Sequence, residues 1–160
     1  EHRVVIIGDG EMKPKLQARA RDLGIAGRVH FTGRVTDQEL RAALTAASVF
    51  AMPSRAELQS IATMEALSSG LPVVAANAMA LPHLVHDGVN GYLYEPGDID
   101  ALAGHLRGIL TANPEEYERL QKAALHTVEA HDIQRTLDIF EALYRGEDVI
   151  DPVTEDEHSA

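Results

Sequence analysis

The chain has 160 residues, enough for one domain or one layered half of a larger fold and too few for two ordinary domains with independent cores. Hydrophobic residues make up 45% and charged residues 24%, the balance of a globular chain, and no apolar run reaches the roughly 18 to 20 residues that cross a bilayer. The absence of cysteine excludes disulfides and thiolate metal sites, and a net charge of −11 is opposite in sign to a nucleic-acid footprint.

The charge is unevenly placed. Six acids and no Lys or Arg follow Arg145, so residues 1–146 carry 19 acids against 14 bases, a net of −5. Nine of the 14 bases fall within residues 1–55, and residues 56–106 contain none. An anion bound near that middle stretch must then be held largely by main-chain dipoles. The chain begins at Glu1 and runs at once into Val4 to Ile7, which reads as a piece of something longer. Residues 147–160 lack periodicity and read as an acidic, flexible tail behind a domain over 1–146. No charged start followed by an apolar block reads as a signal peptide, so the default setting is cytoplasmic.

Val4 to Ile7 predicts a buried strand closed by the turn Gly8-Asp9-Gly10. A helix follows, with Leu16, Ala20 and Leu23 on one side and Gly24 at its end. Val29 to Thr32 predicts a second strand ending at Gly33-Arg34, and Thr36 with Glu39 three residues on spells a capping box for a helix carrying Leu40, Ala43 and Leu44. A third strand over Ser48 to Met52 stops at Pro53-Ser54. Then come a helix over Ser60 to Ser69, a tight turn at Gly70-Leu71-Pro72, a strand over Val73 to Ala76 and a shorter one over Gly91 to Tyr94. Helices over Ile99 to Thr111, Pro114 to Ala130 and Ile133 to Arg145 complete the pattern. Continuous Val/Ile/Ala strands alternating with helices indicate an α/β fold, a Rossmann-like parallel sheet with helices on both faces. Ligands of such sheets sit beyond the carboxyl ends of the strands, so Gly8 to Gly10, Gly33 to Val35, Pro53 to Ser60 and Ala76 to Pro82 should line one site.

Several motifs read best as structure. Gly8-Asp9-Gly10 lacks the third glycine of a dinucleotide fingerprint, because position 13 is Lys, and is better read as a tight strand-to-helix turn. Asp98-Ile99-Asp100 follows Pro96-Gly97 and caps a helix. His83 and His86 with Asp87 fall short of a zinc site and read as solvent-facing. No Gly-x-Ser-x-Gly elbow supports serine hydrolysis.

The informative stretch runs from Pro53 to Val74. Glu57 precedes a helix and Glu65 stands eight positions on, a span of about 12 Å if all of it is helical. Between them lie the unpaired amides of a helix N-terminus, an anion site that needs no lysine. The competing structural reading makes Glu57 a dipole-compensating acid and Glu65 a surface residue on a helix whose core face is Ile61, Met64 and Leu67 or Ser68.

Val5-Ile6-Ile7-Gly8-Asp9-Gly10, Val29-His30-Phe31-Thr32-Gly33, Val49 to Ser54, the Glu57 and Glu65 pair, Glu65-Ala66-Leu67, Gly70 to Val74 and Asp87 to Gly91 occur in order over nearly the whole chain. Together they resemble the C-terminal half of a GT-B fold, retaining glycosyltransferase of family 4, also called glycosyl transferases group 1. The resemblance implies that this half grips a nucleotide-sugar donor such as UDP- or GDP-hexose. A separate N-terminal half then holds a lipid, saccharide or small-molecule acceptor. It gives Glu57 the catalytic contact with donor-sugar hydroxyls near the reacting carbon and Glu65 the ribose hydroxyls. It gives the amides of Leu58, Gln59 and Ser60 the diphosphate, and the main chain at Arg34 and Val35 the base. It implies no metal and no cofactor beyond the donor substrate.

Two positions depart from the pattern: Gln59-Ser60 stands where the family often has Phe-Gly, and His83 where it frequently has a glutamate after proline. The family's preceding strand and basic loop would lie before Glu1, so the chain alone should bind donor weakly and turn over nothing. The last helix, with Leu137, Phe140, Leu143 and Tyr144, would lack part of its partner and could support a homodimer. Peripheral association of the full-length enzyme with the inner face of the membrane is compatible with the family. Two further readings use the same fold: a non-catalytic nucleotide-binding module, and another GT-B enzyme such as a nucleotide-sugar epimerase. A phosphoryl-accepting receiver domain is disfavoured because its acidic cluster is missing.

Overall fold

The computed structural model describes residues 2–129 and 131–147. Two compact units divide the chain between Ala46 and Ala47. In the first, β1 (Val4–Ile7) and β2 (Val29–Gly33) pair in parallel, with Val4 opposite Val29 and Ile6 opposite Phe31. The register slips at the next step, so that Ile7 faces Gly33. α1 (Lys13–Asp22) and a 3-10 turn at Ala26–Arg28 connect the strands. Gly24, at φ +69°, ends α1 just past its cap residue Leu23.

The apolar run of β1 predicts burial, yet Val4, Val5 and Ile7 are 51%, 53% and 37% exposed. A two-stranded sheet leaves every strand with a bare edge and offers too little surface to cover both faces of such a run. α1 likewise buries Ala20 while Leu16 and Leu23 stay exposed. α2 (Asp37–Ala46) opens on the capping box: the Thr36 N–H donates to Glu39 Oε2 at 2.7 Å, and the Glu39 N–H to Thr36 Oγ1 at 3.3 Å.

The second unit holds the parallel sheet β3-β4-β5, made of Phe50–Met52, Val73–Ala76 and Gly91–Tyr94. Every side chain of β4 is fully buried. Successive side chains of a strand point to opposite faces, so this sheet is covered on both. The sequence predicts β3 from Ser48, but the Ser48 carbonyl accepts from the Tyr117 hydroxyl at 3.0 Å and the ladder starts at Phe50. β5 closes against β4 at Gly91, where a Cβ would fall 1.9 Å from the Val73 carbonyl oxygen, so only glycine fits.

α3 (Ile61–Ser68) packs on β3, β4 and α6 (Pro114–Glu129), and α5 (Ile99–Leu110) packs on β4 and β5. α3 ends in a Schellman turn, with Leu71 N–H donating to the Ala66 carbonyl and Gly70 N–H to that of Leu67. α4 (Leu81–Leu84) is too short for its periodicity to be read from sequence and is held by buried Leu81, Leu84 and Val85. Asn90 is fully buried behind it. Its amide donates to the Leu84 carbonyl at 2.9 Å and to Thr127 Oγ1 at 2.8 Å, while its oxygen accepts the His86 N–H at 2.8 Å. Arg119 on α6 donates to the carbonyls of Gly88 and Val89 and pairs with Glu116.

α7 (Ile133–Arg145) is capped by Asp132 and ended by Gly146. Its Leu137, Phe140, Leu143 and Tyr144 are 48%, 55%, 56% and 91% exposed. Of the acidic tail, only Glu147 belongs to the described residues.

Candidate functional site

The four strand-end loops come together in two pairs. In the first unit the Gly8 N–H donates to the Gly33 carbonyl at 2.8 Å. Gly8 and Gly33 both have positive φ, the conformation that lets two main chains approach this closely. The Lys13 ammonium lies over this junction, 3.5 Å from Asp9 Oδ1 and 3.4 Å from where a Gly33 Cβ would stand. Arg34 is exposed and Val35 half-buried, both in the loop that leaves β2.

In the second unit the Glu57 carbonyl accepts the Ala80 N–H at 3.1 Å, which ties the loop after β3 to the loop after β4. Glu57 is half-buried, Leu58 is 83% exposed, and Ser60 is 5% exposed in a left-handed conformation at φ 49°. A serine before a helix is ordinarily expected to cap it with its hydroxyl. Here the Ser60 hydroxyl turns to Thr63 Oγ1 at 2.8 Å, while the Ser60 carbonyl accepts the amides of Thr63 and Met64. Among the described residues, the five consecutive amides 58–62 therefore have no acceptor.

Glu65 is exposed on the second turn of α3. The helix starts at Ile61, so only four residues of helical rise, about 6 Å, separate its start from Glu65. The 12 Å helical span between the glutamates is corrected accordingly, because residues 57–60 form an irregular loop. The core face is corrected too. Leu67 is fully buried as expected, but Ile61 is 63% exposed, Met64 is half-buried and Ser68 exposed, and Thr63 and Ala66 are buried in their place where α3 packs on α6.

Glu57, Leu58, Gln59, Ser60 and Glu65 thus lie on one continuous loop and helix in the second unit, while Arg34 and Val35 belong to the first. Asp98 caps α5 by accepting the Ala101 N–H at 2.9 Å, as its motif predicts. His83 and His86 are exposed, and Asp87 accepts the Leu93 N–H at 2.8 Å in a structural role. Arg55 stands on the same loop, and the sequence motifs give it no role. It is the one Lys or Arg between Arg41 and Arg107, two residues before Glu57.

The family model for glycosyl transferases group 1 matches residues 1–127. The chain belongs to this family. It is 36% identical over 82% of its length to sulfoquinovosyl transferase SQD2 of Arabidopsis thaliana. It is 35% identical over 77% of its length to a GDP-mannose-dependent alpha-(1-6)-phosphatidylinositol monomannoside mannosyltransferase of Mycolicibacterium smegmatis. The chain spans 26% and 34% of those two relatives. A crystal structure of Anabaena HepE in complex with UDP-glucose matches with a TM-score of 0.78 and 28% identity, over 89% of this chain and 41% of that one. The fold of this group 1 domain is that of the C-terminal half of a GT-B enzyme.

Proposed function

We propose that the chain is the donor-binding half of a retaining, family 4 glycosyltransferase that moves a hexose from a nucleotide diphosphate sugar to a lipid, saccharide or small-molecule acceptor. The observation that carries this reading is the row of uncommitted amides 58–62 lying between Glu57 and Glu65 in a group 1 domain. Negative charge develops on the departing diphosphate, and fixed donors that need no reorganisation stabilise it best. Glu57 would accept from sugar hydroxyls beside the reacting carbon, and Glu65 from the ribose diol. The main chain at Arg34 and Val35 would meet the base. The chemistry so described needs no divalent metal.

Residues 1–146 form the donor domain and 147–160 an acidic tail. The exposed edge of β1 is where a preceding strand of the full-length enzyme would pair, and the acceptor domain would lie further upstream. The full-length enzyme would work in the cytoplasm at the inner face of the membrane. Attachment there would be peripheral; among the described residues no helix is long and apolar enough to cross a membrane. The exposed face of α7 would meet either the acceptor domain or a second copy.

Calorimetric titration with UDP, GDP and ADP, on this chain and on the full-length enzyme, tests the reading. We expect saturable binding of one nucleotide, weakened at least about tenfold by Glu65→Ala, since a lost charge-assisted hydrogen bond is worth about 1.5–3 kcal/mol. Silence of the full-length enzyme across all three nucleotides would instead indicate a non-catalytic module.

A further inference from the structure

Arg55 stands three residues beyond β3 and two before Glu57. It forms no ion pair with any described carboxylate. Its guanidinium reaches instead to the turn beyond β5, where a Cβ built on Gly97 would lie 3.3 Å from Nη2. Gly97 has φ +106°, a conformation that favours glycine, so bare main chain faces the guanidinium there. Burial pushes the Tyr94 hydroxyl pKa up, and the nearby Arg55 charge pulls it back, which puts the cation beside the end of β5 as well. β4 lies between β3 and β5. With strands about 4.8 Å apart, Arg55 joins loops whose parent strands are about 10 Å apart.

The main chain of the loop that carries Glu57 is tied to the turn after β4 through the Ala80 N–H, and its Arg55 side chain reaches to the turn after β5. We infer that Arg55 is a positioning residue for Glu57, a side-chain strap that fixes where the Glu57 carboxylate stands. Arginine suits this task because its flat guanidinium can lie along a peptide plane while keeping its charge hydrated, whereas lysine offers only a point charge. The inference rests on the reading of Glu57 as the contact to the donor sugar.

The test is a double-mutant cycle in the full-length enzyme that carries this chain, measuring kcat, donor KM and the Kd of the matching nucleoside diphosphate. Arg55→Gln should lower kcat by about tenfold while the nucleoside diphosphate Kd stays within about twofold. Added to Glu57→Gln, Arg55→Gln should cost little more, because the carboxylate it positions is already gone. Arg55→Lys should behave like Arg55→Gln. Multiplicative losses in the cycle would overturn the strap, as would full activity of Arg55→Lys. A weakened nucleoside diphosphate Kd with kcat intact would also overturn it and make Arg55 a ligand-binding cation. Failure of the donor reading looks different: the wild-type enzyme binds no nucleotide, or Glu57→Gln leaves kcat unchanged.

Discussion

At Gly91 a single methyl group decides whether β4 and β5 can pair. The added Cβ would meet the Val73 carbonyl oxygen at 1.9 Å, and that oxygen belongs to main chain that cannot turn aside. Gly91→Ala should therefore cost more than about 4 kcal/mol, the range of severe core disruption. Urea unfolding measures it, and a midpoint close to wild type would show that the sheet can spread. In the sequence, Gly91 was visible as part of Asp87-Gly88-Val89-Asn90-Gly91, but the reason for it lies 18 residues away in Val73 and needs the strand register. Glu57 and Glu65 were equally visible. The left-handed Ser60 was not, because serine before a helix ordinarily signals an N-cap and only the Thr63 partner reveals that its hydroxyl is committed elsewhere. The nearness of Arg55 to Gly97 was equally hidden, because Gly97 sits on a different strand-end loop.

Among the elements, α2 carries a start signal that titrates. The Thr36 amide, and after it the Thr36 hydroxyl, hold the Glu39 carboxyl below its ordinary value. A carboxylate with a lowered folded pKa contributes stability above its unfolded value, about 4.3, and loses it as the pH falls through the lower folded value. Acidification below pH 4 should thus loosen the first turn of α2, as followed by the amide chemical shifts of residues 36–39. In Glu39→Gln that transition should be absent, and a transition that persisted would assign it to another group. Boundaries followed sequence where a local signal sets them, as with Thr36 and Glu39 or Asp98. They departed where a distant group intervenes. The Ser48 carbonyl goes to the Tyr117 hydroxyl and the ladder of β3 starts only at Phe50, and packing on α6 buries Thr63 and Ala66 beside the expected Leu67 of α3. No local periodicity records either event.

The whole molecule divides its burial unevenly. β4 has all four side chains buried, whereas three of the four residues of β1 are exposed, although both runs are wholly apolar in sequence. Hydrophobicity says that a strand wants cover, not whether the chain supplies it. Hydrogen exchange should show β4 amides opening only with the whole second unit and β1 amides exchanging far earlier; equal protection would contradict this partition. The same uneven burial bears on chemical ageing. An asparagine followed by glycine, as at Asn90-Gly91, is the peptide most prone to lose its amide, because the next main-chain nitrogen can attack the side chain to close a cyclic imide. Here that side chain is clamped by Leu84, His86 and Thr127 in the interior, and Gly91 is locked into β5. The bond most vulnerable to time is thus sheltered while the second unit stays folded, and damage at Asn90 would serve as a covalent record of each molecule's past unfolding.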